Sequence, residues 1–203
     1  GIGGMVSLSS ENRFLGAFLF SLGLFCIVQF KYGLFTGKVG YIVSRDLPYV
    51  AETAVTLVGN ALGTLIAALL LRQVRFFTST VSTMDVTISD RVQATVDGKI
   101  HDNPLSIFIL AIFCGILMFT AVEGSRKCKE EKNFAGSLFV VVMPVMVFII
   151  CGFNHCIADM FYYFFAGCPE PSKAIVYFIL AIAGNSVGGM IVPLLKKLSN
   201  QPL

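Results

Sequence analysis

The sequence predicts an all-α, polytopic membrane protein. Three observations carry that expectation: too few charges for a soluble surface, charged residues that bracket long apolar stretches, and no alternation of strand period. Of 203 residues, 56% are apolar and 13% charged, where an ordinary soluble domain carries about 25% charged residues. Mean hydropathy is +0.80. Such a chain lacks the polar material to cover a globular surface, which argues against a soluble enzyme, a nucleic-acid binder and a disordered chain. Lys+Arg number 15 and Asp+Glu 12, for a formal charge of +3. No basic patch is interleaved with aromatics, so the expected partner is a lipid bilayer and not nucleic acid. Trp is absent, which leaves any interfacial belt to the 6 Tyr.

The chain opens Gly-Ile-Gly-Gly, with no basic stretch ahead of a cleavable apolar core, so no signal peptide is expected. The start reads as a processed terminus or the edge of a fragment. Five stretches free of Asp, Glu, Lys and Arg follow. Phe14–Phe30 lies between Arg13 and Lys31, Thr53–Leu71 between Glu52 and Arg72, and Asn103–Val122 between Asp102 and Glu123. Asn133–Ala158 lies between Lys132 and Asp159, with Met160–Gly167 continuing it, and Ala174–Leu195 lies between Lys173 and Lys196. A bilayer core takes roughly 20 apolar residues as helix, so each is expected to be a helical span. Nothing resembles the alternating segments of a membrane barrel.

The longest polar stretch, Arg72–Asp102, contains Thr78–Thr83 and Asp97-Gly98 and reads as an exposed loop with room for a short hairpin. Arg126, Lys127, Lys129 and Lys132 crowd the loop Glu123–Lys132, and Lys196 and Lys197 follow the last span. Two spans separate these basic segments, so they share a side, which the positive-inside rule makes cytoplasmic. The expectation is a cell (inner or plasma) membrane, the C-terminus inside and, with five spans, the N-terminus outside. Cys26, Cys114, Cys151 and Cys156 fall in spans, and Cys128 and Cys168 fall on opposite sides. No disulfide framework and no zinc spacing are present, and no cofactor is expected.

Two spans are interrupted. After Phe30 comes Lys31-Tyr32-Gly33-Leu34-Phe35-Thr36-Gly37-Lys38 before the apolar remnant Val39–Val43, and Gly152-Phe153-Asn154-His155 stands far along the fourth span before Ile157–Phe165 resumes it. Polar residues at such depth are tolerated where they line a cavity or pair with each other. The second and fifth spans share a different feature: Gly59-Asn60-Ala61-Leu62-Gly63 and Gly184-Asn185-Ser186-Val187-Gly188. Glycines at i and i+4 make a smooth face for helix packing, the ordinary reading of Gly59, Gly63, Gly184 and Gly188. The order of the five spans is broken, glycine-bearing, plain, broken, glycine-bearing. That is a duplicated three-helix unit without its first helix. An odd number of spans per unit inverts the repeats and points to a site at the midplane, where the breaks meet.

These segments resemble the formate/nitrite transporter family, pentameric anion channels with an aquaporin-like protomer of six helices. The resemblance rests on Phe20–Leu24, Leu34-Phe35-Thr36, Gly59–Gly63, Gly152–Met160 and Gly184–Gly189, in family order from first span to last. The family's first helix is missing, Gly1–Leu8 looks like its tail, and the chain reads as a single transmembrane channel domain over 1–203, truncated at its N-terminus. The resemblance implies that His155 is a central pore histidine on one broken helix and that Thr36 faces it from the other. It implies that Phe20, Leu24, Leu34 and Phe148 narrow the pore, that Lys99 lies near the outer vestibule, and that Asn154 belongs to the substrate pathway. It also implies a homopentamer. Three positions depart from the common pattern: Gly115 and Asp159 stand where many members have Asn, and Asn154 where many have Glu. They bear on the substrate, and resemble a subgroup that includes hydrosulfide channels.

Each residue also has a plainer reading. A lone histidine on an apolar span is more often a satisfied core residue. Lys99 reads equally well as a loop lysine and His101 as a solvated one, and the phenylalanines are mostly lipid-facing or core. Lys31 can pair with a carboxylate, snorkel or touch the pore. Cys151 and His155 at i,i+4 suit a soft metal, but no further ligands stand nearby, so no metal is expected. The expected function is a channel or transporter for small monovalent anions: formate, nitrite or hydrosulfide. A bare anion in an apolar constriction carries a large desolvation cost and its neutral acid far less. An imidazole, which titrates near neutrality, is the natural proton donor or hydrogen-bond partner there. The alternative in the same class is an aquaporin-like pore for neutral solutes, though no Asn-Pro-Ala triplet occurs. The alternative from another class, a membrane-embedded enzyme or assembly subunit, needs a nucleophile and base or more ligands, so no catalytic residue is assigned.

Overall fold

A computed structural model describes residues 1–81 and 85–199. The chain forms α1 (Ile2–Ser9), α2 (Arg13–Gln29), α3 (Phe35–Lys38) running into a 3-10 turn at Val39–Ser44, and α4 (Leu47–Arg72). A hairpin of β1 (Thr80–Val81) and β2 (Val86–Thr87) leads to α5 (Ile88–Ile100). Then come α6 (Pro104–Glu130), α7 (Phe134–Cys151), α8 (Cys156–Ala166) and α9 (Pro171–Leu198). Among the described residues, α4, α6, α7 and α9 are long and apolar enough to cross a membrane. The first expected span, α2, has 17 residues, about 26 Å of helix at 1.5 Å per residue. The fourth divides into α7 and the 11-residue α8.

Local chemistry sets the ends. The Asn12 side chain accepts the N–H groups of Phe14 and Leu15, Asn103 accepts that of Leu105, and Asn133 that of Gly136, so three of the apolar helices start on an asparagine cap. Prolines occupy the first turns of α4, α6 and α9, where a missing N–H costs nothing. The last turns of α4, α6 and α9 carry Arg72, Lys127 with Lys129, and Lys196 with Lys197, which complement the helix dipole. The second break follows from Gly152, whose φ of 71° ends α7 in the left-handed region that a side chain resists.

One expectation is corrected here. The segment Arg72–Asp102 is not a plain loop. The hairpin occupies only its first part, with Ser82 and Thr83 outside the described residues, and Asp97-Gly98 lies inside α5 instead of in a turn. Thr87 and Asp90 form a capping box at the start of α5, and Ile88, Val92, Val96 and Ile100 are all buried. Their spacing of four residues is helical. A short apolar stripe in a polar segment reads as a loop by composition but finds a core to pack on.

The core centres on α8, whose residues are buried almost throughout and which packs against α4, α5 and α9. The two glycine pairs behave differently. Added Cβ atoms at Gly188 and Gly115 would run into the carbonyl oxygens of Ile112 and Asn185, and one at Gly184 would stand 2.6 Å from the Ala111 Cβ, so α6 and α9 touch backbone to backbone. Gly59 and Gly63 on α4 meet nothing within 4 Å. Beside them Val55, Val58, Leu62 and Ile66 form an exposed apolar face.

Candidate functional site

The two glycine-bearing helices repeat one clamp. On α4, the Asn60 Oδ1 accepts the N–H of Phe35, the first residue of α3, at 2.9 Å, while its Nδ2 donates to the Gly33 carbonyl at 2.9 Å. On α9, the Asn185 Oδ1 accepts the N–H of Cys156, the first residue of α8, at 2.9 Å, while its Nδ2 donates to the carbonyls of Asn154 and Ala111, both at 2.8 Å. In each half the asparagine takes the first helical N–H and the carbonyl two residues earlier. Backbone groups freed by a break at membrane depth must find partners, and here one side chain per break supplies both. Sequence reasoning took Asn60 and Asn185 only as part of a packing motif. The signal available was the recurrence of Asn beside Gly in both halves.

The clamps bring the breaks together. Thr36 follows the first restart, His155 precedes the second, and the Thr36 Oγ1 lies 3.0 Å from the His155 Nε2 although the residues are 119 positions apart. The His155 Nδ1 accepts the Ala158 N–H at 3.1 Å, capping α8. Its proton is therefore on Nε2, and that N–H donates to the Thr36 hydroxyl. Both ring nitrogens are thus engaged in hydrogen bonds. The Phe148 ring stacks on the imidazole, centroids 5.5 Å apart, and meets Phe20 edge to face at 5.7 Å.

Three cavities run in series through this centre. The middle one, about 120 Å³, is walled by Phe20, Leu24, Leu34, Phe148 and His155. Thr36 stands behind it, fully buried. On one side a bowl of about 380 Å³ shares Phe148 and Ala158 with the middle cavity and contains Lys99. On the other a bowl of about 910 Å³ shares Ile27 and Leu34 with it and contains Lys31.

Lys99, on α5, is no loop lysine. Its Nζ donates to the Asn154 Oδ1 at 2.8 Å and pairs with the Asp159 Oδ1 at 3.2 Å. The buried Asn154 in turn donates to the Ile107 carbonyl at 3.2 Å. Tyr177 donates to the other Asp159 oxygen at 2.6 Å. The buried Asp159 therefore neutralises the lysine of this bowl, a role that sequence reasoning missed by treating Asp159 as a bare departure from a pattern. His101 is not simply solvated either. Its Nδ1 lies 2.9 Å from Asp97 and its Nε2 3.1 Å from Glu170, with Lys173 beside the same nitrogen. Together they clip α5 to α9, with ligand atoms of Asp97, His101 and Glu170 within 4.8 Å of one another on the exposed rim. Within the clip the Lys173 ammonium, 2.7 Å away, holds the Glu170 carboxyl below its ordinary range.

Fold and site together define a polytopic helical membrane protein of two matching halves, with a polar pair held between two helix breaks. The chain belongs to the formate/nitrite transporter family, whose sequence model, "Formate/nitrite transporter", matches residues 2–197. The formate channel FocA of Haemophilus influenzae is 28% identical over 152 residues, 74% of this chain and 52% of that one. The uncharacterized transporter YrhG of Bacillus subtilis is 30% identical over 193 residues, 90% of this chain and 69% of that one. A solved structure described as a pentameric formate channel with formate bound has the same fold, with a TM-score of 0.76 at 23% identity over 98% of this chain and 89% of that one. The chain spans about half the length of the FocA relative. These relatives are channels and transporters, not enzymes.

Proposed function

We propose that the chain is a single transmembrane channel domain that conducts small monovalent anions of the formate, nitrite and hydrosulfide class, in a homopentamer. Family membership and the pentameric solved relative support this reading, and so does the exposed apolar face of α4, which a neighbouring copy would cover. By the positive-inside rule the Lys31 bowl, with Arg126 and Lys129 on its wall, faces the cytoplasm together with the C-terminus, and the Lys99 bowl faces outside.

The observation that carries the proposal is the Thr36–His155 pair at a narrow apolar point between two polar bowls. Phe20, Phe148, Leu24 and Leu34 supply no hydrogen bonds, so a bare anion loses its hydration there at large cost, and the neutral acid crosses far more cheaply. Protonation takes place in the hydrated bowls. At the centre, the imidazole N–H and the threonine hydroxyl turn from each other to the passing solute, replacing part of what water supplied.

Purified protein in liposomes, tested in parallel with formate, nitrite, hydrosulfide and lactate across pH, provides the test. Flux of the small weak acids should rise as pH falls. His155→Phe should remove most of that flux while leaving folded, assembled protein, and Thr36→Val should act in the same direction more weakly. Wild-type flux in His155→Phe at every pH would overturn the proposal.

A further inference from the structure

The Lys31 bowl holds more positive charge than the passage of a monovalent anion requires. Lys31, Lys38, Arg45, Arg126 and Lys129 line it, against Glu52 as the one acid on its wall. Two of the five cations are spoken for. Lys38 lies 2.5 Å from Glu52, and Arg126 is held by Glu123 at 2.7 Å and Glu130 at 2.6 Å. The other three have no acid within ion-pair distance among the described residues. Lys129 donates only to the Val28 carbonyl, at 2.7 Å, and Arg45 lies over the Tyr49 ring, 5.8 Å from its centroid. Lys31 and Lys129 are near enough to repel each other. These three cations come from three segments: the first break, the turn ahead of α4 and the end of α6. Folding has brought like charges together around one cavity, at an electrostatic cost that a multivalent anion would relieve.

We propose that this bowl is a binding site for a phosphate-bearing polyanion, which occludes the mouth of the channel while it is bound. The occlusion rests on the channel reading above; the binding does not. Size separates such a ligand from the conducted solutes. A bowl of about 910 Å³ admits a pyrophosphate group or larger, but the next cavity, past Ile27 and Leu34, is about 120 Å³ and apolar, so the ligand cannot follow them through. Charge separates them as well. A monovalent anion engages one ammonium at a time in a hydrated bowl, whereas a di- or trivalent phosphate engages Lys31 and Lys129 together, and the Arg45 guanidinium on the same wall suits paired oxygens of a further phosphate. The same phosphate chemistry is offered by a soluble polyphosphate and by the headgroup of an anionic lipid.

Inorganic pyrophosphate is the probe, used on the full chain with Lys31→Ala/Lys129→Ala as the comparison. Calorimetry in detergent reads binding without transport. The wild type should bind pyrophosphate in a saturable manner that weakens with salt, and the double variant should bind at least about 10-fold more weakly, the scale of losing two charge-assisted contacts. Liposome flux reads occlusion. Pyrophosphate on the Lys31 side should block wild-type flux, and the double variant, measured against its own flux without pyrophosphate, should lose a far smaller fraction. In vesicles containing anionic lipid, block without added pyrophosphate that the double variant relieves assigns the site to a headgroup; block only on adding pyrophosphate assigns it to a soluble ligand. No calorimetric binding at millimolar pyrophosphate, or equal binding by the double variant, overturns the site. Binding by a protein that conducts none of the anions would leave the site standing and remove the channel reading instead.

Discussion

The two bowls on either side of His155 are both lined with cations, yet their electrostatics differ in kind. In the Lys99 bowl the lysine is neutralised by the buried carboxylate of Asp159, while Arg91 meets the carbonyls of Leu8 and Ser10. In the Lys31 bowl Lys31, Arg45 and Lys129 have no acid within ion-pair distance among the described residues. The difference teaches that a lysine's place beside a path says little about the field it creates. Asp159 is buried, so the Lys99–Asp159 pair is screened weakly by solvent and acts over short range as a dipole, whereas Lys31 and its neighbours act as net charge.

Removing half of the pair tests this contrast most severely. In Lys99→Met, Asp159 is left buried with only Tyr177 as a partner. A fully buried pair broken in this way costs ~3–5 kcal/mol. Lys99 keeps 20% of its side chain exposed, so the expected cost is about 2–3 kcal/mol, read as a lower melting temperature in detergent. Lys31→Met should cause no such loss, because it removes a repelling charge and leaves no carboxylate unpaired. Restoration of most of the loss in Lys99→Met/Asp159→Asn would identify the unpaired carboxylate as its cause; equal losses in Lys99→Met and Lys31→Met would erase the distinction between the bowls.

A gentler change should make the two bowls alike. Asp159→Asn keeps groups that can meet Tyr177 and Lys99 but removes the negative charge, so the Lys99 bowl gains an uncompensated cation. Anion uptake from that side should rise a few-fold in about 0.01 M salt, where charges act over ~30 Å, and return to the wild-type value near 1 M, where they act over ~3 Å. Flux that ignores ionic strength in this variant would mean that the lysine's charge does not steer anions at all.

Such pairings show how far the sequence could be read. Charges bracketing apolar stretches were enough for an all-α membrane fold, because a bilayer imposes one length and one hydrogen-bonding solution. The breaks were legible for the same reason: Gly33 and Gly152-Phe153-Asn154 have no other cause at that depth. The resemblance brought Thr36 and His155 into one site, which the structure places 3.0 Å apart. What stayed hidden depends on partners distant in sequence. Asn60 and Asn185 look like packing residues until the freed N–H groups of Phe35 and Cys156 are located, and Asp159 looks like a substitution until Lys99, sixty positions earlier, is found against it. The stripe from Ile88 to Ile100 was periodic in the sequence, but its polar surroundings outweighed the period. The open faces of Gly59 and Gly63 show the converse: a motif marks a smooth surface without saying what covers it.

The smallest expected effect concerns the rim on the Lys99 side, where the clip of Asp97, His101, Glu170 and Lys173 joins α5 to α9. The bonded Lys173 ammonium lowers the folded-state pKa of Glu170 below its unfolded value. The sign follows: the clip's contribution to stability is fully present above the ordinary glutamate range and disappears as pH falls through the lowered folded-state value. The group is exposed, so solvent screens the pair and the loss should be slight. It should appear as faster amide hydrogen exchange at the start of α9 below about pH 4, the ordinary range of a glutamate, and not as global unfolding. Lys173→Ala should shrink that acid-induced change, because the group that lowers the Glu170 pKa is gone and the folded and unfolded values converge, and high salt should act in the same direction. The wall of the Lys31 bowl provides the internal control. Lys31 and Arg45 have no carboxylate partner to lose among the described residues, so exchange at these two residues, away from the Lys38–Glu52 pair, should not change over the same acid range. A matching acid-induced loosening at those residues would show that the two bowls do not differ in the way their charges are arranged.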